Sequence, residues 1–315
     1  GYPIDIYTNT PVTKLNVNDK GEVIGVTACS TDGTIYEVTA RKGVLLATGG
    51  YAANKQMLVE YNTMWDGLTE DIITTNTKGA TGDGIKMAQE IGAATDMMDV
   101  QMMFPMADIK TGSTEAIVGA SASSLMINKN GVRFTNETGT RWDISADMFE
   151  QPDHLAYIIS DSVNSQIVDG KTQGGVDVEK MLKNGELYTA DTLEELAEKI
   201  GVQPDVLVKT VSEYNEMTET HVDEAFGRTT FEPNSEIKSG PFYAYPCTPG
   251  SHITIGGVVL NYDTIQVVNT EGNDIPYLFA AGEVVAGECG IDGAFASGKA
   301  TGAFIAHNVE SRDLG

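Results

Sequence analysis

Two short apolar runs near opposite ends of the chain limit what it can fold into. Gly43-Val-Leu-Leu-Ala-Thr-Gly-Gly50 and Tyr277-Leu-Phe-Ala-Ala-Gly-Glu283 each read as a buried strand that breaks into glycine. Strands of this kind belong to α/β sheets, where ligands bind beyond the carboxyl ends of the strands. Glycine at such an end lets the backbone come close to a bound molecule. Buried strands also end in glycine for packing alone, so each run by itself is open to either reading. The pair points to a binding edge.

A chain of 315 residues predicts two domains. Its 41% hydrophobic residues supply real cores and exclude a disordered protein. No run of 18 apolar residues is present, so no membrane-spanning helix is expected. A net charge of -25 argues against nucleic-acid binding, because phosphates are repelled. The 34 glycines exceed the ordinary share of about 7%, which fits either close approaches to a cofactor or a loop-rich fold. The first ten residues have neither the basic nor the apolar region of a signal peptide, and the chain opens abruptly, as a piece of a larger protein would.

Along the chain, residues 3–8, 12–17, 22–30 and 34–40 read as strands separated by turns, a meander of hairpins. Residues 52–61 predict a helix opened by Asn54. Thr81-Gly-Asp-Gly84 leads into a helix that Gly92 stops. The Met-rich stretch 98–106 reads as adaptable core. Asn130-Gly131 marks a hairpin between 125–128 and 132–134, with a helix at 142–150 and a strand at 155–160. Thr192 and Glu195 form a capping-box pattern, Pro204 starts a second helix, and the acidic stretch 186–236 reads as a solvated face. Strands follow at 253–260, 264–268 and 277–281, then a helix over 290–309 with closely approaching neighbours.

The chemistry-bearing residues leave alternatives open. Cys29, Cys247 and Cys289 are far apart and read as small buried residues, not as a metal or disulfide framework. The four histidines are scattered, so no zinc cluster is expected. Thr81–Gly84 is either an anion-facing helix entry or a helix capped by Asp83. Arg133, Glu137 and Arg141 form either a structural ion network or a site for carboxylate capture and proton delivery. His252 is either structural or a ligand contact.

The segments KGVLLATGGYAANKQML, TGDGIKMAQEIGA, INKNGVRFTNETGTRWDIS, PFYAYPCTPGSHITIGGVVL and IPYLFAAGEV occur in this order. Together they resemble the flavoprotein subunit family of fumarate reductase and succinate dehydrogenase, above all its soluble flavocytochrome c type, across nearly the whole chain. The resemblance implies an FAD-binding α/β domain, 1–98 and 254–315, split around an α+β capping domain, 99–253, with substrate between the two. It implies FAD contacts at Thr48, Gly49, Gly50, Asp83, Gly282, Glu283, Gly290 and Ile291. It implies Arg141 as proton donor, Glu115 as the acid of the proton path, and Thr114, His252 and Phe104 at the substrate. The guanidinium pKa exceeds 12, so Arg141 needs such a relay.

The chain departs from that family at several points. Phe104 stands where the family has a histidine before proline, His252-Ile253 where it has two histidines, and Val118 where it has an arginine. The loop GECGIDGAFASG has no arginine to clamp a substrate carboxylate. The implied reaction is reduction of an activated C=C bond in a small unsaturated acid, one less acidic or larger than fumarate. The resemblance names no electron donor, and it implies a bacterial protein of cytoplasm or cell envelope. No GxGxxG turn occurs, so the chain is expected to begin after that element, to purify without flavin colour and to be inactive by itself. The rival readings are a ketosteroid-type flavin dehydrogenase using Tyr243 or Tyr245, and a non-catalytic piece that binds no FAD.

Overall fold

The computed structural model describes residues 4–288 and 290–314. It divides into two compact units. One takes the chain up to Met64, then Thr77–Gln101, then Ile253 onward; the other takes Trp65–Asn76 and Met102–His252. Its α/β character is the one expected from the sequence.

In the first unit Val12–Val17, Val23–Cys29 and Ile35–Thr39 form the predicted antiparallel meander. A second sheet has the order Leu260–Asn261, Gln266–Val268, Asp274–Ala280, Val44–Leu46. Its last pair is parallel, with Leu278 opposite Val44 and Ala280 opposite Leu46. The two glycine-ended runs therefore lie side by side and leave the sheet at the same end. Helix Lys55–Tyr61 starts at Asn54, whose side chain accepts from the Met57 N–H at 3.1 Å. Helix Asp83–Glu90 buries Ile85, Met87 and Ala88 along one face.

Four local expectations for this unit need correction. Residues 4–8 form no strand, and Ile4, Ile6 and Tyr7 are exposed; residue 3 lies outside the described residues. Val44–Leu46 is a half-covered strand, because it pairs on one side only among the described residues and leaves Leu45 38% exposed. In helix Gly290–Asn308 only Thr301 is buried among the described residues, and Gly293, Gly298 and Gly302 meet no neighbour within 4 Å, so the expected close packing is absent there. Cys29 is half-buried, and Cys289 lies outside the described residues.

The second unit is built on Phe242–Thr254, which pairs with Tyr188–Ala190, Ala156–Ser160, Ile73–Thr74 and Gln101–Asp108. Leu125–Asn128 extends the sheet beyond Ala156–Ser160. Alternation sorts the side chains onto two faces. Leu125, Ile127, Tyr157 and Ile159 join a core with Leu196, Leu207, Val211 and Tyr214 of helices Leu193–Ile200 and Pro204–Thr220. Met126, Ala156 and Ile158 join Ile144 and Met148 of helix Arg141–Phe149. Residues 65–76, expected in the first segment, pack here because Ile73–Thr74 pairs with Gly250–Ser251 and Trp65 stacks on Trp142 at 4.3 Å. The Asn130-Gly131 turn forms, with Gly131 at φ 82°, but its return strand is a single bridge, Ile127 to Arg133.

Arg133 is drawn instead into a buried charge network. It grips Glu137 at 2.8 and 2.9 Å and Asp223 at 2.9 and 2.7 Å. The buried Arg228 guanidinium completes it, 3.4 Å from Glu137 and donating to Thr230 and Ala122 carbonyls. Burial opposes ionisation of Asp223, but bonds from Arg133, Arg228 and Phe226 outweigh it and hold the carboxyl at about 2. A lowered carboxyl pKa gives stability that is complete above the unfolded value and lost as pH falls toward the folded one. The Asp223 contribution is thus expected to disappear between about pH 4 and pH 2. Asp223→Asn should lower stability at neutral pH by about 3–5 kcal/mol and flatten that acid limb in denaturant titrations. An unchanged acid limb would show that Asp223 does not carry it.

Candidate functional site

In the first unit, the paired strand ends converge on a glycine-rich edge. Beyond Leu46, the N–H groups of Thr48, Gly49 and Gly50 meet no acceptor among the described residues. Thr48 is exposed and Gly49 half-buried. Gly49 sits at φ 71° with open space around its α-carbon. Gly50 is glycine for a different reason. A β-carbon there would lie 2.0 Å from Thr254 Oγ1 and 2.6 Å from Glu283 Oε1. Thr254 in turn donates its N–H to Glu283 Oε1 at 2.9 Å and accepts from the Tyr51 N–H at 3.1 Å. Burial raises the Glu283 pKa, and the Thr254 bonds offset part of that rise.

The Thr81–Gly84 loop joins this edge through the Gly82 N–H, which donates to the Gly50 carbonyl at 3.1 Å. Gly82, at φ 75°, occupies the cap position, so the expected cap Asp83 is instead an exposed residue of the first helical turn. Gly84 lets the helix approach the strand, since a β-carbon would meet Thr48 Oγ1 at 2.1 Å. Gly282, at φ 78°, gives its N–H to Glu288 at 3.1 Å and Ser297 at 3.0 Å, two residues the sequence did not signal. Gly290 opens the last described helix at φ 79°, and Ile291 is 78% exposed. Partnerless strand-end donors beside a half-engaged carboxylate suit the polar edges of a nucleotide cofactor.

The second unit holds a separate cluster. The guanidinium of Arg141, first residue of its helix, lies 4.9 Å from the centre of the Phe104 ring. It forms no ion pair among the described residues, unlike Arg133 and Arg228. The His252 ring packs on Phe104 at 5.4 Å between centroids. Burial, and then the Arg141 charge, push the His252 pKa down, which favours the neutral imidazole. Thr75 Oγ1 lies 2.7 Å from His252 Nδ1, and Asn76 Nδ2 donates to the His252 carbonyl at 2.7 Å. Neither Thr75 nor Asn76 stood out in the sequence, because the contact spans the fold and follows no motif. Thr140 caps the helix with a full capping box to Asp143, which fixes where Arg141 starts.

Among the described residues, none of the other residues indicated by the sequence forms an ion pair or side-chain hydrogen bond with Arg141 or His252. Glu115 is exposed and makes no hydrogen bond to Arg141; its carbonyl accepts from Thr172 Oγ1 at 2.6 Å. Thr114 is half-buried. Tyr245 is fully buried in the core, where burial raises its pKa, while Tyr243 is partly exposed. Val118 is fully buried in the same core. The ion network and Arg141 thus divide the alternatives drawn from Arg133, Glu137 and Arg141: the first two are structural, and Arg141 alone stays unpaired.

The sequence profile of the FAD binding domain family matches residues 1–300. An NADH:acrylate oxidoreductase of Vibrio harveyi is 37% identical over 90% of this chain and 28% of its own length. A probable fumarate reductase of Shewanella frigidimarina is 38% identical over 90% of this chain and 46% of its own. The open conformation of a flavocytochrome c3 fumarate reductase superposes with a TM-score of 0.71 at 35% identity, covering 88% of this chain and 47% of that one. The chain therefore spans less than half the length of these relatives.

The contact at Gly50 gives a direct test of the first cluster. Gly50→Ala should cost about 1–3 kcal/mol in a denaturant melt, because the methyl group collides with Thr254 and Glu283. Thr254→Ala in the same chain should relieve part of that cost. Full stability of Gly50→Ala would mean the strand end has room to spare.

Proposed function

Because the chain belongs to the family of FAD binding domains, we propose that it is part of a flavin-dependent reductase that saturates the C=C bond of a small unsaturated carboxylate. The observation that carries this reading is Arg141: an unpaired cation on an aromatic ring, beside a neutral histidine. The acrylate- and fumarate-reducing relatives support the same substrate class.

The donors of Thr48, Gly49 and Gly50, with Asp83, Gly282, Glu283, Gly290 and Ile291, are the residues that would hold FAD. When bound and reduced by an external electron donor, the flavin would supply a hydride to the β-carbon of the acid and return to FAD. Arg141 pairs with the substrate and releases a proton to the α-carbon, so the double bond becomes single and charge balances. Glu115 is the acid that replenishes Arg141, since a guanidinium of pKa above 12 does not recharge fast alone. His252 and Thr114 hold the substrate, and Phe104 gives it an apolar wall. That wall favours a single carboxylate. Phe104 and Val118 put apolar groups where the resembling reductases carry cationic or polar ones, and Val118 is sealed in the core. A second carboxylate there meets no charged partner and loses its water.

The test uses the flavin-loaded full-length reductase of which this chain is part, a reduced viologen as electron donor, and a panel of acrylate, fumarate and an aromatic enoate. Arg141→Lys should lower turnover by about 10²–10⁴-fold and weaken binding less. Intact turnover in that variant would make the arginine structural. Fumarate should trail the monocarboxylates by roughly tenfold to a hundredfold, the worth of one missing charged hydrogen bond. Fumarate as the best substrate would refute the single-carboxylate site.

A further inference from the structure

Thr75 faces the ring of His252. Its hydroxyl lies 2.7 Å from Nδ1 and 3.3 Å from the Ser251 carbonyl. That carbonyl already accepts from the Thr75 N–H at 2.9 Å and from Thr74 Oγ1 at 3.2 Å. A hydroxyl has one proton to give. The short approach to an otherwise unserved ring nitrogen is the stronger bond, and the well-supplied carbonyl gains little from a third donor. A neutral imidazole that accepts at Nδ1 holds its proton on Nε2. Nε2 has no partner among the described residues. Asn76, next in the chain, fixes the His252 backbone, and the Phe104 ring fixes the plane of the imidazole.

We propose that Thr75 is a positioning residue that locks His252 in the Nε2–H tautomer, so that its free nitrogen donates a hydrogen bond to a substrate oxygen and does not act as a base. The role as donor to substrate rests on the carboxylate-reductase reading above; the tautomer itself does not. The opposite tautomer would leave a lone pair on Nε2, which suits proton abstraction in a dehydrogenase.

The experiment is long-range ¹H–¹⁵N NMR of the imidazole nitrogens in the 315-residue chain at neutral pH. There are four histidines, and loss of a signal in His252→Gln assigns the one that matters. The expected spectrum shows Nε2 protonated and Nδ1 bare. Thr75→Val keeps the side-chain shape and removes the donor, so the signal should move toward the Nδ1–H form; Thr75→Ser should restore the original pattern. An Nδ1–H tautomer in the unmodified chain, or a Thr75→Val spectrum identical to it, overturns the proposal. In flavin-loaded protein, Thr75→Val should raise KM for an enoate roughly tenfold with a smaller effect on kcat, and Thr75→Ser should reverse this. If no enoate is reduced while the NMR pattern follows Thr75, the reductase reading fails and the positioning of His252 stands. If enoates are reduced and the tautomer ignores Thr75, the reverse holds.

Discussion

The parallel pairing of Val44–Leu46 with Asp274–Ala280 is the constraint from which the rest of the chain takes its order. Parallel strands cannot be joined by a tight turn, so whatever lies between them in sequence has to leave and return. Here the excursion carries a complete second core, and the chain passes between the units at Met64, Asn76, Gln101 and His252. The register sets the site chemistry of the first unit. With Ala280 opposite Leu46, the ladder closes on the Ala281 N–H donating to the Leu46 carbonyl at 3.0 Å, which leaves the Thr48–Gly50 donors at the same edge as Gly282 and Glu283.

Glycine at that edge answers two separate demands. Gly49 and Gly282 are held at φ 71° and 78°, a region that favours glycine whatever surrounds it. Gly50 and Gly84 are held by contact, each with a threonine hydroxyl where a methyl group would sit. From the sequence, glycine at these strand ends implies cofactor approach; in the fold, two of the four glycines answer to packing. Gly50 and Gly84 serve protein packing, which brings Thr48, Thr254 and Glu283 into one cluster. Gly49, with open space beside it, keeps the room that a ligand requires.

What the sequence revealed depended on whether the signal was local. The meander, the caps at Asn54 and Thr192, and the helix opened by Pro204 are set by neighbours within a few residues and are legible in the sequence. The sequence marks the central strand Phe242–Thr254 only from Ile253 onward, because Pro246 and Pro249 argue against a ladder. It survives by changing partners along its length, meeting Ala156–Ser160 first and Ile73–Thr74 later. Arg228 and Asp223 were read as part of a solvated acidic face, yet they close the buried network on Arg133 and Glu137. No periodicity marks a pair of residues some ninety positions apart, so only the fold could reveal it. Thr75 escaped for the same reason.

Charge is distributed unevenly between these two arginine environments. The chain carries -25 overall, which repels an anion once it comes within about a Debye length of the surface, roughly 10 Å at 0.1 M salt. Capture then depends on local groups. Arg133 and Arg228 have their carboxylates in place and offer nothing further. Arg141 has an aromatic face instead of a counter-ion, which holds the guanidinium without neutralising it. The neutral His252 beside it adds a directional contact and no charge. One cation can offset one carboxylate. On the function proposed above, a second carboxylate would meet an apolar wall in an acidic protein and be penalised twice, once by lost solvation and once by the unbalanced field.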